Sequence, residues 1–85
     1  MVRALFRGLR SALSAVQLLS DLKSAEVKNL YVGPEEGGEM YEVLVELSAS
    51  SEILEEFLRS VSSVDGFVDA VAESLVADIL WEGLR

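Results

Sequence analysis

Cysteine and histidine are both absent from the 85 residues. Their absence excludes disulfides, thiolate or imidazole metal sites, and the Ser-His-Asp and Cys-His forms of nucleophilic catalysis. Asn29 and Gln17 are the only side-chain amides, and arginine outnumbers lysine. Sparing use of thermolabile residues is a habit of thermophile proteins. Proline occurs once, at Pro34. No apolar run reaches the roughly 20 residues that a membrane span requires, so a soluble, cytoplasmic chain with no membrane partner is expected.

The residues that are present make an apolar and acidic chain. Hydrophobic residues make up 51% of it, enough for a core, and residues 1–85 read as a single domain near the lower size limit for independent folding. Small domains usually add disulfides, metals or oligomerisation to such a core. With the first two closed, association with another chain remains. Charge is uneven. Residues 1–30 hold five cations against two acids, and residues 31–85 hold two cations against thirteen acids. An acidic body disfavours nucleic acid as the main ligand, because neutralising phosphates needs clustered Lys and Arg. Any direct nucleic-acid contact is confined to the first helix.

That helix is expected over residues 3–24. Arg3, Arg7, Arg10, Ser14, Gln17, Asp21 and Ser24 fall at spacings of three and four on one polar stripe. Leu5, Leu9, Ala12, Val16, Leu19 and Leu22 keep the same rhythm on the opposite face, widened by Phe6 and Leu13. The arginine stripe is a solvated face, or a contact for a partner or RNA through Arg3, Arg7 and Arg10. The Arg- and Ser-rich start also resembles an organellar transit peptide, a reading disfavoured because the following sheet needs a helical cover.

Residues 27–32 (VKNLYV) read as a strand, residues 33–38 as a turn cluster, and residues 40–47 as a second strand. In that second strand Tyr41, Val43, Val45 and Leu47 alternate with Glu42, Leu44 and Glu46, so one face is core and the other partly wet. The turn lacks phosphate-loop spacing and its glutamates repel phosphate. Ser50 or Ser51 can cap the next helix, with Glu52, Glu55 and Glu56 complementing its dipole. Leu54, Phe57, Val61, Val64, Val68, Val71 and Leu75 are spaced alternately by three and four, which predicts one long helix over residues 51–82. The rival is a helix ending near Ser63 and then a strand over residues 67–80, where Phe67, Asp69, Val71 and Glu73 would share a face.

The expected fold is therefore α+β: helix, β-hairpin and long C-terminal helix (α-β-β-α), with both helices on one face of a small antiparallel sheet. No pair of acids is placed in an apolar pocket that would separate their pKa values, and Lys23 and Lys28 fall at a solvated junction. No catalytic residue, cofactor or metal ligand is expected, and the chain is not read as an enzyme. The contact residues expected are Leu44, alone among glutamates on the outer strand face, and the apolar group Phe67, Trp81 and Leu84.

These segments carry two resemblances. Residues 41–71 (YEVLVELSASSEILEEFLRSVSSVDGFVDAV) resemble the small dimerising, Pcc-type subunit of the KEOPS tRNA-modification complex. That resemblance implies a non-catalytic subunit that dimerises and presents its helices to a catalytic partner. Residues 50–76 (SSEILEEFLRSVSSVDGFVDAVAESLV), with the "DGFV" turn between helix and final strand, look like ACT-like and Lrp-type ligand-sensing modules. That one implies a module that dimerises through its sheet and binds amino acids at the interface.

Overall fold

A computed structural model of the chain describes residues 1–72. They form β1 (Val2–Phe6), α1 (Leu9–Leu18) with a 3-10 turn (Leu19–Asp21), β2 (Glu26–Pro34), β3 (Tyr41–Ser48), α2 (Ser51–Ser62) and β4 (Phe67–Ala72). The strands make one antiparallel sheet in the order β2-β3-β1-β4. This β-α-β-β-α-β arrangement is the ferredoxin-like pattern. The α+β class and the helices' packing on one face hold, while the α-β-β-α order does not.

The first departure is at residues 2–6. Val2, Ala4 and Phe6 are buried while Arg3 and Leu5 face the other way, the alternation of a strand. A five-residue stretch satisfies either period, and β1 is decided by pairing on both sides, to β3 and to β4. Gly8, at φ 97°, turns the chain into α1. The helix spacing of Arg3 with Arg7 therefore spans a break. On α1 only Ala12 and Ala15 are fully buried, which brings the helix backbone close to the sheet. Leu9 and Leu13, expected on the apolar face, stand nearly half exposed.

The hairpin agrees with its sequence. Glu35 N–H donates to Met40 O at 2.8 Å, Gly38 N–H donates to Glu35 O at 2.9 Å, and Gly37 and Gly38 take positive φ. Val43 and Val45 are buried, with Tyr41 and Leu47 packed against them. A bulge between Val27 and Asn29 kinks β2, an edge strand.

The second departure is the long helix. Its start is as expected: Ser50 Oγ accepts from Ile53 N–H at 3.2 Å. Phe57 and Val61 then enter the core, each burial stabilising by about 1.5–3 kcal/mol. The helix stops at Ser62, and Phe67–Ala72 form β4 along the free side of β1. Gly66 makes the turn at φ 92°, its carbonyl accepting Arg7 N–H at 2.7 Å. The heptad seam continues only in the sequence, since Val68 and Val71 are exposed. The strand looked irregular because of a bulge where Phe6 pairs with Phe67 and Leu5 with Asp69. The extra residue puts Phe67 and Ala70 on the inner face and Asp69 and Val71 on the outer. The part of the expected helix over residues 73–82 lies outside the described residues.

Both helices cover the inner face, where Val2, Ala4, Phe6, Ala12, Ala15, Val43, Val45, Phe57 and Val61 form one core. The outer face carries no helix among the described residues.

Candidate interaction surface

Strand register decides which side chains meet on the outer face. Tyr31, Leu44, Arg3 and Val71 form one row across all four strands. Gly33, Glu42, Leu5 and Asp69 form the next. Tyr31 and Val71 are each about half exposed, at 50% and 49%, and Leu44 is half-buried between them. Apolar side chains thus alternate with charged ones on a surface that no helix of the described residues shields.

The arginine of that row is held in place. Arg3 donates from Nε to a Glu42 carboxylate oxygen, and its Nη2 lies 3.4 Å from Glu35 Oε2 in the hairpin loop. The hydrogen bond to Glu42 and then the Glu42 charge raise the guanidinium above its ordinary pKa; desolvation opposes them, and the charges of Glu35 and Asp69 add lesser support. Nearby, Asn29 Nδ2 donates to Glu46 Oε1 at 2.6 Å. Tyr31 lies over Gly33: a Cβ there would meet the ring hydroxyl at 2.3 Å and Cζ at 2.7 Å. An aromatic ring laid over a strand glycine shields backbone that would otherwise be open. Between β2 and β3 a shallow depression of about 340 Å³ is lined by Met1, Asn29, Leu30, Tyr31, Leu44 and Glu46.

The expected contact residues separate. Leu44 lies on this face and lines the depression. Phe67 does not: it packs edge-on against Phe6, ring centroids 5.9 Å apart at 70°, and belongs to the inner side. The β4 bulge turned it inward. Trp81 and Leu84 lie outside the described residues. The arginine stripe also dissolves. Arg3 sits on the outer sheet face, Arg7 in the β1–α1 turn, and Arg10 in the first turns of α1. Reading β1 as a helix had placed them together.

Tyr31, Leu5 and Val71 are not among the contact residues expected from the sequence. Once residues 27–32 are a strand, its period of two puts Asn29 and Tyr31 on one side. Leu5 and Val71 became outer-face residues only once β1 and β4 were strands. No polar or charged side chain is buried among the described residues, and no group of three acids there is placed to hold a metal. No helix among them is long and apolar enough to cross a membrane.

The fold defines a small α+β class: four antiparallel strands with two helices on one side. No family model matches the sequence, and no curated protein does. Among solved structures, the chain is similar to the solution structure of the C-terminal domain of the MgtC protein from Mycobacterium tuberculosis. The two superpose with a TM-score of 0.67 over 82% of this chain and 79% of that one, at 13% identity. At that identity the likeness is one of fold.

Proposed function

We propose that this chain is a non-catalytic protein–protein interaction subunit that forms a homo- or heterodimer within a larger complex, using the outer sheet face around Leu44. The observation that carries this reading is that face: Tyr31, Leu44 and Val71 in one row, with no helix of the described chain over them. Exposed apolar groups set among polar ones are how association surfaces are built. The resemblance to the KEOPS subunit gives the kind of assembly, one acting on tRNA through a catalytic partner. β1 supplies an opening strand of the kind that family has, although α2 is shorter than its long helix. Light scattering at micromolar concentration tests self-association. A particle heavier than 9.3 kDa is expected, and a monomer that also fails to join a purified catalytic partner would refute the reading.

A second reading has its own observation. The helix, the turn at Gly66 and the strand Phe67–Ala72 keep the order that the ACT-like resemblance implies for that segment. Under it the chain senses a small ligand, such as an amino acid, between two sheet-paired copies. A ligand that binds only the folded state raises the melting temperature, so a thermal-shift screen against amino acids separates the two. Stabilisation favours the sensor. Partner capture without a ligand effect favours the subunit.

A further inference from the structure

We propose that a second copy of this chain docks head-to-tail, the start of α1 in one copy resting on the outer sheet face of the next. The choice of face rests on the interaction reading, and the partner is now named.

Charge selects the pairing. The outer face carries Glu42, Glu46 and Asp69, with Glu35 at its rim. Its arginine, Arg3, is already held by Glu42 and Glu35, while Glu46 and Asp69 pair with no lysine or arginine of the described residues. Tyr31, Leu44 and Val71 supply the apolar part. The start of α1 has the complementary character. Leu9 and Leu13 stand 46% and 47% exposed there, beside the exposed Arg7 and Arg10. No side chain caps this helix and no acid lies in its first turn, so the positive end of its dipole is uncompensated. The end of α2, with the exposed Arg59 in its last turn, comes up against it, where Arg7 N–H donates to Gly66 O. None of these three guanidinium groups pairs with an acid of the described residues, and Asp65 is the one acid in the adjoining turn.

The two surfaces face opposite ways, because the helices cover the inner side of the sheet. One chain cannot bring its own pair together, but two copies can. A two-fold contact between sheet faces would instead set the same acids against one another, a costly arrangement. The β2 edge is kinked by its bulge, carries Lys28 and ends at Pro34. Each copy has a net charge of −8, yet at physiological salt charges more than about 8 Å apart are largely screened. The groups that touch therefore decide. Four strands at about 4.8 Å and about six residues at 3.3 Å make a face of roughly 19 by 20 Å. That is small for a specific interface, so association is weak and salt-sensitive. A contact between unlike surfaces closes into a ring or extends as a chain, and an open pair keeps one free sheet face for a further subunit.

Sedimentation equilibrium of the full chain over a concentration series tests this. The wild-type mass is expected to rise past that of two copies and to fall with added salt. Arg10→Glu with Leu13→Ser spoils the helix side, and Tyr31→Ser with Leu44→Ser spoils the sheet side. Tyr31→Ser with Val71→Ser replaces the latter if circular dichroism shows it unfolded. Each folded variant alone should associate on the order of tenfold more weakly or worse. Mixed, the two variants should form a 1:1 pair of about twice 9.3 kDa and nothing heavier, since one intact contact remains. A mixture no heavier than its parts overturns the proposal, as does a helix-side variant that assembles like wild type. A wild type that stays monomeric, whether its face is covered by residues 73–85 or kept for another protein, also overturns it. The interaction reading survives that last result if the monomer still joins a purified catalytic partner.

Discussion

Gly66 turns the chain from α2 into β4. Its φ of 92° is a left-handed conformation, and a Cβ there would lie 2.3 Å from Ser11 Oγ and 3.2 Å from Arg7 O. Non-glycine residues held there cost about 1–3 kcal/mol, so Gly66→Ala is expected to destabilise by that much in urea titrations. An exposed helix-interior glycine would give the opposite sign, about 0.5–1 kcal/mol of gain, and a measured gain would restore the long helix. Gly33 differs in kind, because only the Tyr31 ring stands in the way of its Cβ. Gly33→Ala should displace that ring and cost less than the Gly66 change. Among the cations, Arg7→Gln and Arg10→Gln should each stay within about 0.5 kcal/mol of wild type, as exposed sites do. Arg3 is the exception in geometry. Because its pKa is raised in the folded state, its pairing with Glu42 stabilises below the ordinary arginine value and is lost only as pH rises through the higher, folded one. Added salt, not a pH scan of the working range, is therefore the perturbation that weakens it.

At the level of elements, the sequence made legible whatever local signals decide. β3 announced itself by alternating buried and outward residues, the hairpin by its glycines, and α2 by its cap. Ser50→Ala should cost about 1 kcal/mol, because Ser50 Oγ holds the Ile53 N–H, whereas Ser51→Ala should cost a few tenths. β1 and β4 were hidden because each is a strand by virtue of the other. In Val2–Phe6 five residues cannot separate a period of two from one near four. In residues 67–72 the bulge set Phe67 and Asp69 on opposite faces, while Val68 and Val71 kept the helical phase of α2 by coincidence of spacing. The outer face inherited these errors: Leu44 sits on a strand read correctly, which placed its side chain on that face, whereas Leu5 and Val71 sit on the hidden pair. Phe67, expected at an interface, now has a measurable role inside. Phe67→Ala should lower stability by about 3 kcal/mol, the low end for a core phenylalanine. A double-mutant cycle with Phe6 should show about 0.5–1.5 kcal/mol of coupling from the edge-on rings. A Phe67 change that altered association but not stability would return it to the outer surface.

For the whole molecule, the position of β1 has a kinetic consequence. The first strand in the chain is an inner strand of the sheet, paired with β3 about forty residues away and with β4 more than sixty residues away. By contrast, β2 and β3 are joined by a short turn and α2 comes at once after them. Loop-closure entropy must be met before distant pairings are rewarded, so folding slows as mean sequence separation grows. The hairpin with α2 is expected to form first, and the insertion of β1 between β3 and β4 to complete the transition state or come after it. Val45→Ala, at the hairpin's core, should slow refolding. Ala70→Gly, in β4, should mainly speed unfolding, as positions formed late do. Stopped-flow chevrons of the two variants compare these directly. During synthesis the order is harsher still: Val2, Ala4 and Phe6 are made before both of their partner strands, and their second side stays open until β4 is made. For that interval the nascent chain exposes an unfilled sheet strand, the state in which small β-containing chains are most open to aggregation or chaperone capture.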